Sequence, residues 1–352
     1  MAIILEPMSF IGLDLGQTQA RVIQLNHSTP VPTLVAAGSL ALNGNILAED
    51  ATNDSLLKTS EKIKQLISEV GIVTENVVCA LPESEVFTRI IDIPKMPKDE
   101  LAQAIQFEAE SYIPYPLEEV QLDWQILEEG EDKPSKDNTH ALLVAAPLKT
   151  IDRLIRVIEH AGLKPVAIET TAIAVNRSLT NENPLHMCVA LLDMGAHASE
   201  LSISDKGTIR LTHNIPIGSQ SFTQAIQKEL SLDDKEAEKL KSGLGKLDEV
   251  EKESVSKAYK STLEAIATDV KRSLDFYRSQ PHSNQINELI LTGRGAQLHN
   301  LAAFLADHLT LKVTQGNPWL HIESKETLSD KQQTEMAPMF AVAVGLAMRK
   351  KI

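Results

Sequence analysis

Two stretches of this chain share one design, and that repetition narrows the possible folds more than any other feature. Residues 10–25 read FIGLDLGQTQARVIQL: an apolar run, Asp-x-Gly, a short polar turn, then a second apolar run. Residues 188–203, CVALLDMGAHASELSI, follow the same order, so Asp14 recurs as Asp193 and Gly16 as Gly195. Short runs of bulky and β-branched residues on either side of a glycine turn spell a β-hairpin. One such hairpin is ordinary. Two so far apart imply two similar domains, because solenoid repeats recur every ~20–50 residues. The length of 352 residues leaves room for both.

If two such turns face one another across a cleft, they have a chemical use. Turn backbones offer N–H groups to anionic oxygens, the glycines allow close approach, and the carboxylates can hold a hydrated Mg²⁺ that neutralises a polyphosphate. A third element fits this reading. NELILTGRGAQLHNLAAFLADHL at 287–309 is an apolar strand, a glycine turn and a run with Leu298, Leu301, Leu305 and Leu309 at helical spacing. GRGAQL departs from the dinucleotide GxGxxG pattern at its last position, and no GxxxxGK[ST] loop exists in the chain.

The formal net charge of −14 argues against nucleic acid or anionic lipid as partners, since both demand clustered Lys and Arg. MAIILEPMSF has no basic residue before its apolar stretch and carries Glu6 and Pro7, so it does not read as a signal peptide. No apolar run approaches the ~20 residues of a membrane span. Cys79 and Cys188 both lie in apolar strand-like runs, the setting of buried free thiols, which places the chain in a reducing cytoplasm. The ten histidines are scattered without metal-ligand spacing, and His197 reads as a turn residue or a phosphate contact. No GxSxG nucleophile motif is present.

The segment after Glu75 reads as an inserted subdomain. ENVVCAL and EVFTRIIDI are strand-like; Pro97 opens a helix with Leu101, Ile105, Ala109 and Tyr112 on one face, and Pro114 stops it. VQLDWQIL and HALLVAAP supply strands, followed by a helix that turns Ile151, Leu154, Ile155 and Ile158 inward and ends at Gly162. The polar tract EEGEDKPSKDN at 128–138 is expected to be an exposed loop. Between Ser256 and Gln280, Leu263, Ile266, Val270, Leu274 and Tyr277 form a core stripe.

In this order the motifs resemble the actin-like ATPase superfamily, with phosphate-one at Asp14, phosphate-two at Asp193 and the adenosine motif at Gly293. AIETTAIAV at 167–175 looks like its first connecting segment, MFAVAVGLAM at 339–348 like its closing helix, and EAEKLKSGLG at 236–245 like the helix that approaches ribose and adenine. Longer runs are similar to the PilM family of type IV pilus assembly: IQFEAESYIPYPLEEVQLDWQIL at 105–127, ALLVAAPLKTIDRLIRVIEHAGLKPVAIET at 141–170, IPIGSQSFTQAIQKELSLDDKEAEKLKSG at 215–243 and RSLDFYRSQPHSNQINELILTGRGAQLHNLAAFLADHL at 272–309.

The resemblance implies an α/β, two-lobed actin-like ATPase fold with a FtsA/PilM-type insert in the first lobe. Its expected boundaries are 1–75 for the first lobe, rejoined by 163–186 and 339–352, then 76–162 for the insert, and 187–338 for a second lobe with a helical subdomain at about 216–282. It implies that ATP is contacted by Asp14, Gly16, Gln17, Thr18, Gln19 and Arg21, by Asp193, Gly195, Ala196 and His197, by Glu238 and Lys241, and by Gly293, Arg294, Gly295 and Ala296. Mg²⁺ falls to Asp14 and Asp193 through water, and Glu169 to orienting an attacking water, with hydrolysis slow or absent. Gln17, His197 and Ala198 stand where relatives usually have small hydroxyl residues. Arg294 stands where relatives commonly keep Gly, and either caps the base or obstructs it.

The implied function is a cytoplasmic ATP-binding adaptor at the inner face of the inner membrane. Its implied partner is the N-terminal tail of a PilN-type protein, with a PilO-type protein indirectly and a possible homo-oligomer. The alternatives are an actin-like ATPase or phosphotransferase acting on a small substrate, and a FtsA-like filament-forming division protein.

Overall fold

Each Asp-x-Gly hairpin contributes the first two strands of a five-stranded sheet. The structure, a computed structural model, describes residues 9–42, 44–127, 138–180, 187–243, 248–280, 283–324 and 327–350. The chain divides into two units, Met1–Glu182 with Asn317–Ile352, and Asn183–Gly316.

In the first unit β1 (Ile11–Leu15) pairs antiparallel with β2 (Gln19–Asn26), and β2 with β3 (Thr33–Ala41). On the other side β1 lies parallel to β4 (Asn76–Leu81), which the crossover returns beside β8 (Lys164–Thr170). Strand alternation sends Ile11, Leu13 and Leu15 into a core with Leu56, Ile63 and Leu66 of α1 (Asn53–Glu69) and Leu154, Val157 and Ile158 of α3 (Leu148–His160). Thr52 caps α1 by accepting from the Ser55 amide at 3.2 Å. The opposite face takes α4 (Thr171–Thr180) and α11 (Ala341–Ala347). Gly12 lies on that face, where a Cβ would meet the Ala343 carbonyl oxygen at 2.3 Å. A bare glycine in β1 is therefore what lets α11 lie directly on the strand.

Between β4 and β8 the chain builds a small sheet in the order β5 (Phe87–Pro94), β7 (Asn138–Pro147), β6 (Val120–Leu127), all antiparallel. Leu101, Ile105 and Ala109 of α2 (Lys98–Glu110) pack on it with Ile91, Ile93 and Leu143. The insert is thus narrower than the expected 76–162: β4 is a strand of the large sheet and α3 belongs to that sheet's core, because their apolar faces match it. Residues 128–137 of the polar tract lie outside the described residues.

The second unit repeats the plan as β11 (Thr208–Ile215), β10 (Ser199–Asp205), β9 (Cys188–Met194), β12 (Ile286–Thr292), β13 (Lys312–Gln315), again three antiparallel strands followed by two parallel ones. α5 (Ser219–Leu230), α6 (Asp234–Gly243), α7 (Glu249–Ala258) and α8 (Lys260–Arg278) follow β11, and α9 (Leu301–Leu309) joins β12 to β13. The expected stripe on α8 is buried throughout, Leu263, Ile266, Val270, Leu274 and Tyr277 all entering the core. The chain returns to the first unit at Asn317 rather than at 339. Trp319, Ile322 and Leu328 pack there with Ile23, Leu25 and Leu34 ahead of α10 (Asp330–Met336) and α11.

Candidate functional site

The first hairpin turns through Gly16, Gln17 and Thr18 and is closed by the Gly16 amide donating to the Gln19 carbonyl at 3.0 Å. A Cβ at Gly16 would sit 3.1 Å from that oxygen. Asp14 and Arg21 are directly cross-strand in the β1–β2 register, and the guanidinium donates to Asp14 Oδ2 at 2.9 Å and to Gln19 Oε1 at 2.8 Å. Both side chains are only 12% exposed. Burial pushes the Asp14 carboxyl above its ordinary value, and the Arg21 charge and hydrogen bond pull it part of the way back. Arg21 Nε is buried without a protein partner. Thr18 is exposed and Gln17 half-buried.

The second hairpin is tied to the helix that follows its sheet edge. The Ser219 amide donates to the Gly195 carbonyl at 2.9 Å, and the Gln220 amide to the Ala196 carbonyl at 2.8 Å. Gly218 makes the approach possible, since a Cβ there would meet Ala196 O at 2.4 Å. Gly293, at φ +79°, brings the end of β12 against the same hairpin. A Cβ on it would lie 2.5 Å from both Asp193 Oδ1 and the Met194 carbonyl oxygen. Gly295 likewise abuts Met194, and Ala296 is buried. Asp193, Gly195, Ala196 and the Gly293–Ala296 turn are thus brought together within one unit; His197 is exposed.

On α6, Lys241 is 9% exposed and donates to the Ser219 carbonyl at 2.9 Å and to Thr223 Oγ1 at 2.7 Å, while pairing with Glu238 Oε2 at 2.7 Å. The Thr223 hydroxyl in turn donates a hydrogen bond to Glu238 Oε2 at 2.8 Å. Burial lowers the Lys241 ammonium below its ordinary value, against the opposing pull of Glu238. Burial alone would raise the Glu238 carboxyl, but hydrogen bonds from Lys241 and Thr223 and the charges of Lys241 and Arg294 outweigh it and hold it low. Arg294 reaches Glu238 Oε1 at 3.5 Å and is half-exposed. Sequence reasoning missed Ser219, Thr223 and Gly218; the spacing of Ser219 and Thr223, one helical turn apart after a glycine, was the available signal.

Glu169 differs from its expected role. Arg177 donates to both of its oxygens, at 2.6 and 2.9 Å, and Arg349 also donates to Oε2. Its side chain is 5% exposed. Arg177 also reaches the Gly345 carbonyl at 2.6 Å. With both oxygens engaged by guanidinium groups, this carboxylate is a clasp between β8, α4 and the end of α11. It does not present itself to a water.

A family model described as Type IV pilus assembly protein PilM matches residues 12–351. The chain belongs to the PilM family. A solved PilM-PilN type IV pilus biogenesis complex contains a chain similar to this one, with a TM-score of 0.86, 27% identity, and coverage of 97% of this chain and 99% of that chain. MreB 5 of Spiroplasma citri bound to AMPPNP shares the actin-like fold at a TM-score of 0.53 and 14% identity, covering 97% of this chain and 95% of that one. The cell division protein FtsA of Bacillus subtilis (strain 168) is 20% identical over 264 residues, which are 67% of this chain and 58% of FtsA. This PilM-family chain therefore spans little more than half the length of that curated relative. The fold is the two-lobed actin-like ATPase fold that the motifs implied.

Proposed function

We propose that this chain is an ATP-binding adaptor of type IV pilus assembly. It holds the N-terminal cytoplasmic tail of a PilN-type inner-membrane protein and meets a PilO-type protein indirectly. The observation that carries this reading is the likeness of the whole chain to a PilM solved with PilN. No helix among the described residues is long and apolar enough to cross a membrane. In this reading the partner's tail supplies the place at the inner face of the inner membrane.

The actin-like resemblance implies nucleotide contacts from the first hairpin in one unit, and from the second hairpin with the Gly293 turn in the other. Arg21, beside the Gly16 turn, carries the charge that suits phosphate, and Glu238 Oε1 with Arg294 meets the nucleoside. Among the described residues no group of three or more His, Cys, Asp or Glu could hold a metal ion. As the resemblance implies, Mg²⁺ is carried by the phosphates, with Asp14 and Asp193 reaching it through water. Nucleotide and peptide are coupled by linkage: a nucleotide that favours one conformation raises affinity for any tail that prefers it.

The test is fluorescence anisotropy of a labelled peptide from the partner's N-terminal tail, with and without Mg-ATP, on the chain and on Asp14→Ala and Asp193→Ala. Saturable binding that tightens with Mg-ATP, and loses that tightening in both variants, is expected. No peptide binding in either condition refutes the adaptor; unchanged ATP affinity in both variants refutes the site.

A further inference from the structure

The actin-like ATPase resemblance assigns Lys241 to the nucleoside, yet its ammonium has three protons and three protein acceptors, the Ser219 carbonyl, Thr223 Oγ1 and Glu238 Oε2, all at 2.9 Å or less. No proton is left for a ribose hydroxyl. Two of those acceptors lie one turn apart at the start of α5, the helix whose Ser219 and Gln220 amides hold the Gly195 and Ala196 carbonyls of the second hairpin. Ser199 Oγ adds a bond to the Ile217 carbonyl at 2.6 Å just before that helix. Each carbonyl engaged by α5 is a partial negative charge kept from turning toward an incoming anion.

We propose that Lys241 is a positioning residue: it fixes the α5 turn, and through it the backbone of the 195–198 turn, and does not contact the nucleoside. This rests on the nucleotide reading only for its ligand. The mechanical part, that a lysine on α6 sets the order of the hairpin backbone, concerns the free chain. Thr223 is fully buried and so cannot itself touch a ligand, yet it belongs to the same linkage.

Two measurements on the whole chain and on Lys241→Met and Thr223→Val test it. The first is amide hydrogen exchange of peptides covering 195–223 without nucleotide, with melting curves to establish that both variants fold. Exchange about tenfold faster or more in this segment, and unchanged in the 11–41 strands, is expected for loss of one charged buried hydrogen-bond set. Unchanged exchange in Lys241→Met overturns the proposal, whatever the ligand. The second is competition by AMP, ADP and ATP, each with Mg²⁺, against a fluorescent ATP analogue. A positioning role weakens ATP more than AMP in both variants. Equal weakening of all three by Lys241→Met, with Thr223→Val like wild type, places Lys241 on the nucleoside and overturns it. Wild-type protein that binds no nucleotide while Lys241→Met still loosens 195–223 overturns the nucleotide reading and leaves the positioning role supported.

Discussion

Gly345 is the position where one methyl group should do the most damage. It lies in α11, and a Cβ built on it would meet the Ala174 carbonyl oxygen of α4 at 1.9 Å, the Ala174 carbonyl carbon at 2.5 Å and its Cα at 3.0 Å. These are backbone atoms, which cannot rotate aside as a side chain can. Restoring an ordinary contact moves α11 away from α4 by more than about 1 Å, because the repulsive wall is steep. Its neighbours Val344 and Leu346 are fully buried, so the shift crowds or opens every face of the helix. It also pulls the Gly345 carbonyl from Arg177. Overpacking of this kind costs typically ~1–3 kcal/mol and sometimes more. The charged hydrogen bond adds ~1.5–3 kcal/mol when lost. Against this, Gly→Ala in a helix gains about 1 kcal/mol of propensity. The net expectation for Gly345→Ala is a loss of ~1.5–5 kcal/mol, lowering the melting temperature by ~3–20 °C for a unit of this size. Circular dichroism melts and urea unfolding at an unchanged m-value measure it. A variant melting at or above wild type, as helix propensity alone dictates, refutes the close crossing of α4 and α11.

Asp14→Asn separates the ligand role of the carboxylate from its burial. Because burial raises the Asp14 pKa above its ordinary 3.8, the native state holds the proton more tightly than the unfolded chain. That contribution is full below 3.8 and is lost as pH rises through the elevated value, so the stability of wild type minus Asp14→Asn should fall across that window. A pH-independent difference between the two unfolding free energies contradicts it. Glu169→Gln removes the charge that Arg177 and Arg349 share. It is expected to reduce stability by ~1–3 kcal/mol while ATP affinity stays within about twofold of wild type. Loss of nucleotide affinity or of turnover at full stability would restore a ligand role to this carboxylate.

Local chemistry was legible in the sequence wherever one segment carried its own signal. The two Asp-x-Gly hairpins, the Pro97-initiated helix with its Leu101, Ile105 and Ala109 face, and the apolar stripe of α8 all formed as the residue pattern required. Strand alternation and helical spacing are short-range properties, and apolar burial enforces them in any context that covers the face. The duplicated hairpin also announced a duplicated sheet, and both sheets have the same strand order and directions.

What the tertiary structure alone decided is which partner each surface and each charge would find. β4 and α3 carry apolar faces that suit an insert as well as a large sheet, and only the parallel register with β1 and β8 assigns β4 to the large sheet. Asp14 is tied to Arg21 by cross-strand register, a seven-residue separation that marks nothing by itself until the turn is closed. Glu169 became a clasp because Arg349, far away in sequence, is delivered to it by α11, which Gly12 and Gly345 allow to lie close. Lys241, separated from Ser219 by a loop and a helix, spends two protons on that neighbouring helix and the third on Glu238 of its own. A residue type states which bonds a side chain is able to make. Long-range packing, set by the burial of the whole core, determines which of them remain to be offered to a ligand.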